Sequence, residues 1–383
     1  MNKFFSFLII ILAALINTTA GWASEAFQPS QSVKVALILS ETGIAAEDNK
    51  IAIRAATLSV EEINKQGGLL GQPVQVIRLD NQSTPIGSKI AAQKALEHDV
   101  TAVIGAFWSS HSLPMAEVLQ RARVPMITPT SSHPDITLVG NYIFRVCFND
   151  IFQGQAVARF ALKNLEAKTA VILKNINEEY SLTLAKYFEK SFTHGGGKVL
   201  ASYGYKGTAM DFSGWLSEVK KHRPDVVFIP GYALDSGLAV KQAARMGIVT
   251  TFLGGDGWDD DSIFQYAGKA LEGSYYSTHW HPKVSFPKSR RFLKLYRERY
   301  GKDEIIESGN PLTYDAIMVL ADAVRRAGSG ERQKIQSAIA ETKGYEGVTG
   351  IITFDKNGDT LNKATIFLKI ENGSVTFIKS VSP

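Results

Sequence analysis

AVIGAFWSSHSLPMAEVLQRARVPMITPTSSHPDIT, residues 102–137, carries the pattern that decides the fold. Two short apolar runs, 102–105 and 125–128, stand one helix-length segment apart, which is the signature of buried parallel strands. In an open parallel sheet, ligands bind beyond the carboxyl ends of the strands. Here both runs discharge into hydroxyls: Trp108-Ser109-Ser110-His111-Ser112 after the first, Thr130-Ser131-Ser132 after the second. A helix predicted to open between Ser110 and Pro114 adds unpaired backbone N–H groups to the first loop, and that combination receives an anion such as a carboxylate. The same residues also read as N-caps (Ser109, Ser110, Ser112) and as an ordinary polar turn. The loops alone leave both readings open.

Working outward, strand and helix alternate. Strands are predicted over 33–39 and 74–79 and helices over 51–64 and 87–98, the first ending at Gly67-Gly68, a helix stop. Units of this kind specify a doubly wound parallel sheet. After a strand at 143–146 the pattern restarts, with helices over 152–165, 182–194, 212–222 and 238–246. Strands over 170–173, 199–203, 226–229, 251–253 and 273–277 are interleaved with them. Beyond His279 come helices over 286–300, 313–327 and 334–342, then apolar runs 351–354 and 363–370 around Asn357-Gly358, a hairpin signal. The simplest packing returns these late helices to the first sheet, which creates several crossings between two lobes and hence a hinge.

The chain opens with Asn2-Lys3 and an apolar run over 4–16, followed by Ala20, Ala23 and Ala26, the layout of a secretory signal peptide with those alanines as cleavage positions. The run falls short of the ~20 apolar residues that span a bilayer, and no cysteine is near it for a lipid anchor. The expectation is an exported, soluble periplasmic protein without stable membrane insertion once the signal is removed. The single cysteine, Cys147, excludes an intramolecular disulfide, so stability must come from the cores. A net charge of +5, spread along the chain, gives little support to a nucleic-acid partner.

Six stretches, TGIAAEDNKIAIRAA, EEINKQGGLLGQPV, VIGAFWSSHSLPMAEV, MITPTSSHPDIT, YIFRVCFNDIFQGQ and FLGGDGW, occur in an order that resembles the leucine/isoleucine/valine-binding protein family. These are type I periplasmic solute-binding proteins of ABC transporters. The resemblance implies an α/β fold of two Rossmann-like lobes with parallel-sheet cores, joined by a three-crossover hinge. It divides the chain into residues 27–149 plus 279–357 and residues 150–278 plus 358–383, after a signal peptide over 1–26. It also implies an amino-acid ligand (branched-chain, other aliphatic or aromatic), a membrane permease as partner, a monomer and no cofactor. The alternative on the same fold is a periplasmic sensor, or a binder of an amide, urea or aromatic carboxylate.

Carried over position by position, the resemblance puts the ligand's carboxylate at Ser109, with Thr130 and Ser132 contacting carboxylate and ammonium. Tyr180 and Tyr232 come from the second lobe, and Asp256 is the ammonium-binding acid. The chemistry agrees: a zwitterion needs donors for its carboxylate and acceptors, preferably anionic, for its ammonium. Where the family often has an aromatic over the ligand side chain, this chain has Asp48, so Asp48, Trp108 and Trp258 become candidate specificity residues: either Trp108 replaces the missing cover, or Asp48 receives a polar or basic ligand side chain. Asp48 reads alternatively as an N-cap ahead of Ile51, Asp256 as a cap of a helix near Asp259, and the two tryptophans as packing between lobes. His279-Trp280-His281 is a poor metal motif, because alternate residues of an extended segment face opposite ways. Asp355-Lys356-Asn357-Gly358-Asp359 lacks the closing glutamate of a calcium loop, since Ile366 stands there. No catalytic motif is evident, and neither a metal nor an enzymatic role is expected.

Overall fold

The computed structural model describes residues 33–382; the apolar leader with Ala20, Ala23 and Ala26 lies outside the described residues. The chain first forms β1 (Lys34–Leu39), α1 (Ala46–Lys65), β2 (Gln75–Asp80), α2 (Pro85–Glu97), β3 (Ala102–Gly105), α3 (Ser109–Arg121), β4 (Met126–Thr128), α4 (Asp135–Leu138) and β5 (Ile143–Arg145). Its five strands make an all-parallel sheet in the order β2-β1-β3-β4-β5. β3 and β4 are buried along their whole length, which is why they read as continuous apolar runs instead of alternating ones.

The second sheet begins after α5 (Asp150–Asn164). It takes β6 (Thr169–Asn175), α6 (Glu179–His194), β7 (Lys198–Tyr205), α7 (Ser213–His222), β8 (Val226–Phe228), α8 (Ala233–Arg245), β9 (Thr251–Gly254), α9 (Ile263–Ala267) and β10 (Tyr275–Thr278). Then α10 (Pro287–Tyr300), α11 (Gly309–Ala327), α12 (Arg332–Ala340), β11 (Tyr345–Gly347) and β12 (Gly350–Ile352) return to the first half. α11 shows how: Leu312, Ala316, Val319, Leu320 and Ala323 form one helical face, buried in the same core as Val35, Leu37 and Ile104. Finally β13 (Thr365–Glu371) and β14 (Ser374–Val381) complete the second sheet, ordered β14-β13-β10-β9-β8-β6-β7.

The chain therefore passes between the two halves three times, after β5, after β10 and after β12. Asn357-Gly358 turns the chain back only locally: Phe354 and Thr360 form one antiparallel bridge and Leu361 N donates to Thr353 O at 2.8 Å, but β12 and β13 beyond it belong to different sheets, and the Asp355–Asp359 turn packs against β5, where Arg145 N donates to Gly358 O at 3.0 Å. The Asn-Gly hairpin lies one element later, at Asn372-Gly373, where both residues have positive φ (54° and 68°) and β13 pairs with β14 in antiparallel register. That is the backbone a two-residue type I′ turn requires.

At the first and third crossings sits Arg145, fully buried. Its Nε donates to Asp359 Oδ1 at 2.5 Å, Nη1 to the carbonyls of Ser131 (3.2 Å) and His133 (2.8 Å), and Nη2 to Pro134 O (3.2 Å) and Thr137 Oγ1 (3.1 Å). Asn149 Nδ2 reaches the other Asp359 oxygen at 3.1 Å. Breaking a buried ion pair by removing one partner costs ~3–5 kcal/mol because the remaining charge stays desolvated. Asp359→Ala is expected to lower the urea midpoint of the protein by that amount of stability, while the exposed pair partner Glu117→Ala (Arg121–Glu117, 3.5 Å) changes it by less than ~1 kcal/mol. Equal midpoints for the two variants would refute the role given to Arg145.

Candidate functional site

Loops at the carboxyl ends of both sheets converge on one cavity. From the first half it is lined by Asp48, Ile51, Phe107, Trp108, Ser109, Thr130, Ser132 and Glu307-Ser308-Gly309; from the second by Tyr180, Tyr232, Asp256, Gly257, Asp259 and Asp260; and from the crossing that follows β10 by His279. Its volume is ≈ 50 Å³. Since one water needs roughly 10–15 Å³ on this measure, that is room for a few small groups.

On the donor side, α3 begins at Ser109 with Trp108 as an extended N-cap that makes no side-chain capping bond. The first-turn amides therefore carry the partial positive charge of an uncapped helix end. The serines are not the caps that the sequence allowed. Several hydroxyls instead knit the two loops together: Ser112 and Ser131 Oγ lie 2.7 Å apart, Thr128 Oγ1 donates to Ala106 O at 2.7 Å, and Thr130 Oγ1 donates to Phe107 O at 2.7 Å. Ser109 Oγ accepts from His133 N at 3.2 Å. Of the six hydroxyl residues read from these loops, only Ser109, Thr130 and Ser132 reach the cavity wall.

Opposite stands Asp256, in a 3-10 turn over Asp256–Trp258. His279 Nε2 donates to its Oδ2 at 3.0 Å, and its Oδ1 is buried without a partner. Burial pushes this carboxyl up, but hydrogen bonds and charge from His279, with Gln153 and Tyr180, outweigh burial and hold it below the usual carboxylate range. The acid is ionised and ready to accept. Its neighbours must be glycine: a Cβ on Gly255 would stand 2.3 Å from Tyr180 Oη, and one on Gly257 2.5 Å from Gly231 O. Gly257 N in turn donates to Tyr180 Oη at 3.1 Å.

An aromatic column crosses the cleft. Trp108 stacks on Tyr232 with centroids 3.9 Å apart and planes 5° apart, His111 lies 5.4 Å from Trp108, and Tyr180 lies 5.4 Å from Tyr232. Asp48 is not an N-cap, for α1 starts at Ala46 and Asp48 sits in its first turn. Its Oδ2 accepts from Trp108 Nε1 at 3.1 Å. Trp258 leaves the site altogether. Its ring is 1% exposed in the core of the second half and donates to Ile229 O at 3.0 Å. The tight turn that aims Asp256 at the cavity points Trp258, two residues on, backwards over Gly254, where a Cβ would stand 2.2 Å from its ring.

Four acidic or basic wall residues escaped the sequence reading: Asp259, Asp260, His279 and Glu307. The Asp259-Asp260-Asp261 run was legible only as a helix start. His279 does alternate with His281 as expected, and the face it takes is the one holding Asp256. Among the described residues no group of three or more His, Cys, Asp or Glu is arranged to hold a metal ion, and no helix is long and apolar enough to cross a membrane.

Comparison with known proteins shows the family. Residues 32–374 match a family described as periplasmic binding protein. The chain is 28% identical to the leucine-, isoleucine-, valine-, threonine- and alanine-binding protein of Pseudomonas aeruginosa, over 90% of this chain and 91% of that one. Among solved structures, the leucine-binding protein LivK of Thermotoga maritima is 36% identical with a TM-score of 0.88, covering 92% of this chain and 99% of its own. LivJ of Streptococcus pneumoniae, a branched-chain amino acid transporter substrate-binding protein in complex with isoleucine, is 28% identical with a TM-score of 0.87, covering 92% and 100%.

Burial lowers the His111 imidazole to about 4, against a smaller opposing effect of the Ser83 backbone. An unfolded histidine titrates near ~6.5. Between these values the unfolded chain binds a proton that the folded chain does not, so stability is lost as pH falls from about 6.5 towards about 4, by ~3 kcal/mol from this group. Urea midpoints measured across that interval should fall less steeply in His111→Gln than in the parent. Parallel slopes would show that His111 is not held neutral.

Proposed function

This chain belongs to the periplasmic binding protein family, and we propose that it captures an amino acid between its two lobes and delivers it to an ABC-transporter permease. The observation that carries the proposal is the polarity of the cavity. The uncapped start of α3 and Ser109 offer donors on one wall, and the unpaired Oδ1 of Asp256 offers an anionic acceptor on the other. A zwitterion meets both demands at once: its carboxylate takes amides and hydroxyls, its ammonium takes the carboxylate. Thr130 and Ser132 add backbone and hydroxyl contacts, and Tyr180 and Tyr232 close the second wall.

The lobes in this proposal are residues 27–149 with 279–357 and residues 150–278 with 358–383. The separate cores of the two sheets support that division. The three crossings then form the hinge. A ligand that touches both walls only when they are together favours the closed state by its differential contacts. Export to the periplasm, action as a monomer and the absence of turnover belong to the same reading, as the roles of a carrier that hands its ligand on unchanged.

The test is isothermal titration of the ligand-stripped protein with the twenty amino acids, repeated with Asp256→Ala. Micromolar capture corresponds to ~8 kcal/mol. Removing Asp256 leaves a desolvated ammonium unpaired and should weaken binding by ~3–5 kcal/mol. If Asp256→Ala binds as tightly as the parent, the acid does not hold the ammonium; if only compounds without an ammonium bind, the ligand class is wrong.

A further inference from the structure

The amino-acid reading uses one carboxylate, yet five carboxyl side chains line the cavity and no lysine or arginine does. Asp259 is engaged within the protein, its Oδ2 accepting from Thr278 Oγ1 at 2.6 Å and from Ser308 N at 2.9 Å. Three others remain: Asp48 in the first turn of α1, Glu307 just ahead of α11, and Asp260 from the opposite half. Asp48 accepts from Trp108, Glu307 Oε1 from Asp261 N at 2.8 Å, and Asp260 Oδ1 from Ser262 N at 2.8 Å. Asp260 Oδ2 is buried without a donor.

These groups face one another. Burial, and after it Asp260, pushes the Asp48 carboxyl well above its ordinary range; burial followed by the charges of Asp260 and Asp259 does the same to Glu307. Carboxylates brought together from two halves of a protein repel unless a cation lies between them or one of them keeps a proton, as Asp48 does when it hydrogen-bonds Asp260. Unpaired atoms lie elsewhere on this wall too. Asp256 Oδ1 has no partner, and His279, only 3% exposed, donates from Nε2 to Asp256 and leaves Nδ1 unpaired. The two unpaired carboxylate oxygens lining the cavity, Asp256 Oδ1 and Asp260 Oδ2, both call for a donor. The wall also continues beyond the small cavity: Asp48, Trp108, Tyr232 and Asp260 are shared with an adjoining one of ≈ 490 Å³, where Glu47, Glu178 and Asp235 outnumber a single Lys206.

Resting on the amino-acid reading above, we propose that the ligand carries a second cationic group, as lysine, ornithine and arginine do. Its α-ammonium pairs with Asp256, and its side-chain ammonium or guanidinium lies among Asp48, Asp260 and Glu307. The ligand-stripped mature protein is titrated calorimetrically with L-lysine, L-arginine, L-norleucine, L-leucine and cadaverine, in parallel with Asp48→Asn and Glu307→Gln, whose folding is checked by circular dichroism. Lysine or arginine should bind at least tenfold more tightly than norleucine, and the two variants should erase most of that preference. Norleucine or leucine binding as tightly as the basic amino acids would overturn the inference and leave the amino-acid reading standing. Cadaverine binding with no response to any amino acid would keep the second cation and remove the zwitterion reading. A protein that binds none of lysine, arginine and cadaverine overturns the inference outright.

Discussion

A guanidinium has five N–H donors in a rigid plane, and Arg145 uses all five inside the protein. Four of them hold the segment Ser131–Thr137 and the fifth holds Asp359. This single group therefore fixes the second hydroxyl loop, with Thr130 and Ser132 on the cavity, to the strand that leads into the first crossing and to the turn that forms the third. A lysine would supply the charge without the planar fork and satisfy fewer of these acceptors. The polar rim of the cavity and the hinge are positioned by the same buried charge pair, so a rotation about the crossings carries the rim with it as a unit.

The opposite wall solves a different problem. A carboxylate out of water must be supplied with donors or lose its charge, and Asp256 has one in His279 at 3.0 Å, while the nearby Gln153 and Tyr180, the latter accepting from Gly257 N, help to hold its carboxyl down. The glycines on either side of Asp256 let Tyr180 and the Gly231 carbonyl approach closely enough to build that shell. Asp256 thus keeps its charge and one free oxygen. The stacked rings of Trp108 and Tyr232 line the same cavity, and an apolar wall strengthens the charge interactions beside it.

Much of this was legible in the sequence because it is local. Strand and helix alternation, the two hydroxyl loops, and the Gly-Gly-Asp-Gly-Trp stretch each carry their own pattern, and the loops do meet at one rim as the parallel-sheet rule requires. Pairings between distant segments were not legible. Glu307 reaches the site by a helix returning from the far end of the chain, and His279 meets Asp256 only because β10 lies beside β9. Local rules also misled. Asn357-Gly358 carries a hairpin signal, but β13 finds better partners in β10 and β14 than in its sequence neighbour. Trp258 sits two residues from Asp256, and the tight turn that places one in the cavity places the other in the core.

On the proposed reading, selectivity and closure meet in the same three carboxylates. With the lobes apart, Asp48 and Glu307 are solvated separately from Asp260, and their charges are screened. With the lobes together, two unit charges about 4 Å apart repel by ~4 kcal/mol at an effective dielectric constant of ~20. A ligand without a side-chain cation leaves that term in place, so less of its binding energy remains to shift the population towards the closed form. A proton shared between Asp48 and Asp260 relieves the repulsion too, but it must be drawn from neutral solution, which costs ~1.4 kcal/mol for every unit by which the pH exceeds the pKa of the pair. A cation tethered to an amino acid already seated on Asp256 and α3 arrives at high effective concentration, and it removes the repulsion only when the lobes have closed around it. The acidic wall thereby makes closure itself the step at which the ligand is discriminated.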